Sequence, residues 1–319
     1  MNDSLLTVVV PVFNEQDVID VFYQRLVDSM KDIGIGLEII LVDDGSSDNS
    51  SDHIAELASR DDRICVVELS RNFGKEIALT AGLDHANGDA IVVIDADLQD
   101  PPELIPVLLQ EWQAGYDVVY ARRASRKGDT FLKKITAYIF YRVMQSSSRV
   151  RIPADTGDFR LLSRRALNAL LKLREQHRYM KGLFAWIGYS QKEVLYDREA
   201  RYSGRTKWSY WKLWNLALEG ITSFTTAPLR LSTYMGMLTA GASFIFGAYI
   251  ILQKILFGNP IEGYPSMMTI ILFLSGIQLI SIGVIGEYLG RMFDETKGRP
   301  LYLIKKIRKS RYMESGIED

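Results

Sequence analysis

Two acidic clusters hold the residues best suited to chemistry. Asp43 and Asp44 stand in the run Val42–Asp48, and Asp95, Asp97 and Gln99 stand in the run Asp95–Glu103. At a period of two, Asp95, Asp97 and Gln99 project their oxygens to one side if the backbone stays extended. Two carboxylates and an amide oxygen make a hard-oxygen set suited to Mg²⁺ or Mn²⁺, with ligand and water oxygens completing it. An ion held there would bridge a diphosphate and take up the charge that develops as it leaves. An Asp-x-Asp pair alone also serves to cap loops; the weight lies in two clusters at the ends of two strands of one sheet.

The surrounding pattern supplies those strands. Thr7–Val12, Leu37–Val42, Ile64–Leu69, Ala90–Asp95 and Val118–Tyr120 are short β-branched runs. Between them lie the helical stretches Gln16–Lys31, Asp48–Ser59, Lys75–Ala86 and Pro102–Ala114. This alternation predicts an α/β domain with a mainly parallel sheet covered by helices on both faces. Ligands of such sheets bind beyond the carboxyl ends of the strands, where the acidic clusters fall.

The second half has a different character. Met235–Gln253 carries no charge over 19 positions and Met267–Gly286 none over 20. Each is long enough to cross a hydrocarbon core of roughly 30 Å as a helix. Gly236, Gly241, Gly247, Gly276, Gly283 and Gly286 would let the two helices pack closely. The connecting loop, 258–266, has no Lys or Arg, whereas Arg291, Lys297, Arg299, Lys305, Lys306, Arg308, Lys309 and Arg311 follow the second span. Positive-inside logic puts that tail, and with two spans the N-terminal domain, in the cytoplasm, where the basic excess suits anionic headgroups. Trp208, Trp211 and Trp214 beside Lys207 and Lys212 predict a helix lying in the headgroup region. Phe131–Met144 reads as a second interfacial helix or as a core helix of the domain. The expected division is a catalytic domain over 1–205, interfacial helices over 206–230, a hairpin over 231–290 and a basic tail over 291–319.

These residues also carry a resemblance. Pro11–Glu15, Val42–Asp48, Asp95–Glu103 and Thr156–Arg160, in that order, are similar to the inverting family-2 glycosyltransferases of GT-A fold. Within them the chain resembles the polyprenyl-phosphate glycosyltransferases, such as dolichol-phosphate mannose synthase and the GtrB-type bacterial glucosyltransferases, from about Leu5 through both spans. The resemblance implies that Pro11, Asn14, Glu15 and Asp44 hold the base and ribose of a nucleotide-sugar. It places Asp95, Asp97 and Gln99 around a metal and the diphosphate, and makes Asp158 a base or an acceptor-orienting carboxylate. Arg122, Arg201 and Lys207 are similar to cationic positions near the donor and acceptor phosphates. The implied reaction moves a hexose, glucose from UDP-glucose in the first instance, to undecaprenyl phosphate at the cytoplasmic face of the inner membrane. GDP-mannose or another UDP-sugar is the alternative donor, and a homo-oligomer, as a tetramer, is the expected assembly.

The totals exclude other classes. A net charge of −1 gives no pull toward nucleic acid. A single cysteine, Cys65 in a strand, excludes an internal disulfide framework or a thiolate zinc cluster. The histidines His53, His85 and His177 lack metal-ligand spacing, and the N-terminus enters its first strand without a leader-like stretch. A processive polysaccharide synthase would carry more spans and a Gln-x-x-Arg-Trp motif, of which Gln176–Tyr179 is only an echo. A nucleotide-binding regulator without catalysis is the rival from outside the enzymes, and the intact Asp95, Asp97, Gln99 and Asp158 speak against it.

Overall fold

The computed structural model describes residues 4–31, 33–124, 156–196, 227–257 and 263–312. Its first half runs β1 (Leu5–Val12), α1 (Ile19–Met30), β2 (Gly36–Asp43), α2 (Ser50–Arg60), β3 (Ile64–Leu69), α3 (Lys75–Asp84) and β4 (Ala90–Val93). A single 3₁₀ turn, Pro102–Leu104, leads into α4 (Ile105–Gln113), followed by β5 (Val118–Arg123). Then come β6 (Thr156–Ser163), α5 (Arg164–Leu170), α6 (Met180–Trp186) and β7 (Gln191–Tyr196). Two long helices, α7 (Ala227–Phe257) and α8 (Tyr264–Thr296), precede the last strand, β8 (Ile304–Arg308).

All eight strands form one sheet in the order β7-β5-β6-β4-β1-β2-β3-β8. β1, β2, β3, β4, β5 and β7 run the same way, while β6 and β8 run against them. The mainly parallel sheet is therefore present, with two reversed strands that strand–helix alternation does not announce. The strands are apolar throughout because both faces are covered. Val8, Val10, Ile39 and Leu41 pack with Phe22 and Leu26 of α1 on one face. Val9, Ile40 and Val42 pack with Ala78, Leu79 and Leu83 of α3 on the other. At the closest approach a β-carbon on Gly82 would lie 2.3 Å from a Val9 methyl, so α3 seats on β1 only because residue 82 is glycine.

Among the described residues α7 and α8 have no such cover. Stretches of 23 and 28 residues, Leu231–Gln253 and Thr269–Thr296, are long and apolar enough to cross a membrane. Phe244 is 81% exposed and Ile245 75%, far beyond what a soluble core helix shows. The glycines do not act as expected: a β-carbon at Gly236, Gly241, Gly247, Gly276, Gly283 or Gly286 would meet nothing within 4 Å. They are not at a close contact between α7 and α8. The groove between the two helices is lined by Gly236 together with Ser232, Thr239, Ser243, Gln278 and Ser281.

The basic segment after the hairpin is not a free tail. β8, with Lys305, Lys306 and Arg308, pairs antiparallel with β3 and caps that edge of the sheet. Gln176 donates its backbone N–H to Glu295 at 2.7 Å and its side-chain amide to the Arg299 carbonyl at 2.5 Å. The sheet and the end of α8 thus lie on the same side of the hairpin.

Candidate active site

The carboxyl ends of the parallel strands define one edge, and the candidate site is built there. β4 ends at Val93, two residues earlier than the sequence pattern suggests. Asp95 to Asp100 then form a turn in which Leu98, buried, has φ +57°. The extended backbone expected through Asp95, Asp97 and Gln99 is therefore absent, and period-two alternation does not align their oxygens. Asp97 instead accepts the Gln99 backbone N–H at 3.1 Å, as a loop-shaping aspartate does.

β6 runs antiparallel beside β4, with Arg160 facing Val93. Continued by two residues, that register sets Asp158 beside Asp95. Lys75, the first residue of α3, closes the arrangement: its ammonium lies 2.7 Å from the Asp95 carboxylate and 2.5 Å from Asp158 Oδ2. Asp158 Oδ1 is buried and has no hydrogen-bond partner among the described residues. Burial would raise the Asp158 carboxyl, but Lys75, Lys181 and Arg160 outweigh it and hold the group well below the usual carboxylate range. Burial, with the nearby Asp158, raises Asp95 despite the opposing pull of Lys75. Desolvation at its tip would likewise lower the Lys75 ammonium, although the side chain as a whole is 43% exposed, but Asp158 and Asp95 keep it protonated. Glu76, receiving the Met180 N–H, is pushed up to about 7 by burial and then by the Asp158 charge. Arg160 is buried, stacks on Phe184 at 3.9 Å, and is lowered to about 10 by desolvation.

The expected nucleotide residues lie at the same edge, on neighbouring loops. Pro11 sits near the end of β1, opposite Val42 of β2. Asn14, at φ +56°, accepts the Ser47 N–H through Oδ1 at 2.8 Å and donates its own N–H to the Ser46 hydroxyl. The Glu15 N–H donates to the Ser50 hydroxyl at 2.8 Å. These contacts join the loop after β1 to the loop after β2. Asp44 accepts the backbone N–H groups of Phe73 and Gly74 at 2.7 and 2.9 Å, so it shapes the loop that launches Lys75. That loop passes so close to Gly45, at φ +67°, that a β-carbon there would lie 2.7 Å from the backbone of Arg71. Arg122, at the end of β5, pairs with Glu193 at 2.7 Å. Arg201, Lys207 and the tryptophans from Trp208 to Trp214 lie outside the described residues, as does Phe131–Met144.

The pattern reading gave no role to Lys75, Glu76, Arg160 or Lys181. Lys75 and Glu76 were open to discovery, because the loop after β3 reaches the same carboxyl edge as the loops after β2 and β4. Lys181 was not, since only tertiary packing brings α6 there.

The donor set suits a divalent ion in part. Asp95 and Asp97 offer hard carboxylate oxygens, and the Lys75 ammonium on Asp95 shows that this carboxylate already attracts a cation. Among the described residues no group of three or more His, Cys, Asp or Glu side chains could hold a metal, so substrate oxygens must complete the shell.

Residues 7–171, more than half of the chain, match Glycosyl transferase family 2, and residues 227–292 match the GtrB C-terminal hairpin. The chain is a family-2 glycosyltransferase. An uncharacterized glycosyltransferase of Synechocystis sp. is 50% identical over 302 residues, 95% of each chain. The prophage bactoprenol glucosyl transferase homolog of Escherichia coli K12 is 49% identical over 95% of this chain and 99% of its own. The bactoprenol glucosyl transferase of Shigella phage SfX is 49% identical over 94% and 98%. A solved glucosyl-3-phosphoglycerate synthase from Mycobacterium tuberculosis is 20% identical, covers 68% of this chain and 75% of its own, and superposes with a TM-score of 0.46. That overlap is loose, so the donor chemistry below rests on the closer relatives and on the site itself. The family assignment agrees with the GT-A α/β domain and its two-helix C-terminal hairpin.

Proposed function

We propose that this glycosyltransferase transfers glucose from UDP-glucose to undecaprenyl phosphate, with inversion, at the cytoplasmic face of the inner membrane. The observation that carries the reading is a charged carboxylate edge whose sheet is joined through β8 to a two-helix apolar hairpin. The bactoprenol glucosyl transferases at 48–49% identity support the sugar and the lipid. The basic segment after α8 and the uncharged loop between the spans support the sidedness. Catalytic domain, hairpin and basic segment then share one interface with the bilayer, where a polyprenyl headgroup is presented.

The step is a single in-line displacement at the anomeric carbon by a phosphate oxygen of the lipid, with the nucleotide diphosphate leaving. Asp95 and Asp97 would hold Mg²⁺ or Mn²⁺, which when bound supplies a Lewis acid for the charge on the leaving diphosphate. A phosphate monoester is already largely anionic near neutral pH, so its oxygen needs no strong base. Asp158 suits that requirement: Lys75, Lys181 and Arg160 hold it charged, so it takes up a proton poorly and serves to orient the reacting groups. The same cations offset the repulsion between an incoming phosphate and the carboxylates. Pro11, Asn14, Glu15 and Asp44 line the donor side of the edge, and Arg122 with Arg201 and Lys207 complete the phosphate contacts in this reading.

A donor panel tests it. Purified protein in detergent receives undecaprenyl phosphate, Mg²⁺ or Mn²⁺, and UDP- or GDP-sugars in turn, and lipid products are read by mass. The account predicts a metal-dependent hexosyl phospholipid with UDP-glucose as the best donor. Product from GDP-mannose alone would move the reading to a mannosyltransferase. UDP binding without any lipid product would favour the regulator.

A further inference from the structure

The Lys75 ammonium is the only cation shown in contact with Asp95 among the described residues, and it stands where a divalent ion would compete for the same carboxylate. We infer that Lys75 is a resident counter-cation of the metal site, which keeps a divalent ion off Asp95 until a nucleotide diphosphate arrives with it. The inference rests on the proposed function, because it takes Asp95 as a ligand and a diphosphate as the leaving group.

Three observations carry it. First, the position of Lys75 is built. The loop before it is pinned by Asp44 through two backbone N–H groups, and Gly74, at φ +98°, turns the chain so that α3 begins at residue 75. Second, the ammonium bridges two elements, the turn after β4 through Asp95 and β6 through Asp158, and so offsets charge on both carboxylates at once. Third, the bridge is not sealed. The Lys75 side chain is 43% exposed, so it has a path out, and among the described residues nothing partners the buried Asp158 Oδ1.

A carboxylate needed only for the fold is treated differently in this protein. Glu38 is fully buried and accepts four hydrogen bonds from neutral donors, with no cation in contact among the described residues. The Lys75 bridge is thus the arrangement of a site that exchanges partners. A divalent ion on Asp95 would repel an ammonium 2.7 Å from the same group, so the bare protein binds the ion only by displacing Lys75. A diphosphate changes the balance twice, by adding oxygens to the metal shell and by giving the ammonium a new anionic partner. Metal and nucleotide should then bind with strong mutual reinforcement, and the coupling should be reciprocal.

Mn²⁺ binding to the full-length protein in detergent tests this, with free Mn²⁺ followed by electron paramagnetic resonance with and without saturating UDP. The wild type should bind Mn²⁺ weakly alone and at least ~10-fold more tightly with UDP, about 1.4 kcal/mol of coupling. Lys75→Met should bind Mn²⁺ alone about 10-fold more tightly than the wild type and lose most of the gain from UDP. Lys75→Arg, which keeps the charge, should resemble the wild type. Lys75→Gln repeats the neutral case if Lys75→Met folds poorly by circular dichroism. Equal Mn²⁺ affinity of the wild type and both neutral variants, without UDP, overturns the inference. So does unchanged Mn²⁺ binding by Asp95→Asn, which would put the metal elsewhere. The donor panel fails independently: a wrong acceptor or sugar leaves the Mn²⁺ pattern intact.

Discussion

Two buried carboxylates, Glu38 at the amino end of the sheet and Asp158 at its carboxyl edge, show how differently the two ends are built. Glu38 accepts from the Thr7 hydroxyl at 2.6 Å, from the backbone and side-chain N–H groups of Asn87, and from the Ser310 hydroxyl. Both its oxygens are satisfied by neutral donors, and the network ties β1, β2, the turn before β4 and the segment just after β8 together. Among the described residues, Asp158 has Lys75 on one oxygen and no partner on the other. Buried polar groups left incomplete are costly. The amino end is finished by neutral hydrogen bonds; the carboxyl edge is held by charge pairs that leave Lys75 exposed.

The largest expected effect breaks the reactive end. Asp97→Ala should lower turnover by at least ~10³-fold, a barrier rise of about 4 kcal/mol, with the melting temperature little changed. Wild-type turnover by that variant in the lipid assay would remove the metal reading. Next comes the finished end: Glu38→Ala strands the Thr7 hydroxyl and the Asn87 N–H in the interior and should cost about 3 kcal/mol of stability. Urea unfolding measures it, and turnover per folded molecule should be unchanged.

Asp158→Asn sharpens the comparison. A positioning carboxylate already held charged should cost less than about 100-fold in turnover, whereas a general base would cost ~10²–10⁴-fold. A larger loss, with a pH–rate profile that loses its acidic limb, would restore the base. Glu76 gives a pH test of the same edge. Its pKa is raised from the model-peptide value to about 7, so the folded state holds the proton more tightly than the unfolded chain. Its contribution to stability is therefore greatest below about pH 4 and declines as pH rises toward 7. Glu76→Gln should raise the melting temperature at pH 8 relative to the wild type and change it little at pH 5; equal changes at both would contradict the assigned burial. The smallest effect is expected at Tyr302→Phe, which removes the 2.7 Å hydrogen bond to Asp84 and should cost about 1 kcal/mol, because Arg174 still pairs with Asp84.

Much of this architecture is visible in the residues themselves. Strands buried on both faces read as unbroken β-branched runs, so β1, β2 and β3 are found within a residue or two, and the uncharged runs mark α7 and α8. β6 and β8 are not visible as sheet members. Thr156–Ser163 begins with a Thr-Gly-Asp motif that reads as a loop, and three of the five residues of Ile304–Arg308 are basic, as suits an exposed edge strand. At the site, Asp95, Asp97 and Asp158 were named from their motifs. Their geometry was not, because Leu98 in the left-handed region breaks the alternation that pattern reasoning assumes. Lys75 was missed because its role comes from a contact 83 residues along the chain, which no local period encodes.

The anomeric configuration of the lipid product is the most direct test of the central claim. UDP-glucose carries an α-linked sugar, so a single displacement by the lipid phosphate must yield β-glucosyl undecaprenyl phosphate. The proton–phosphorus and proton–proton couplings of the purified product distinguish the two anomers. The β anomer is the predicted result; an α-linked product, or glucose released without any lipid-linked sugar, would contradict the account.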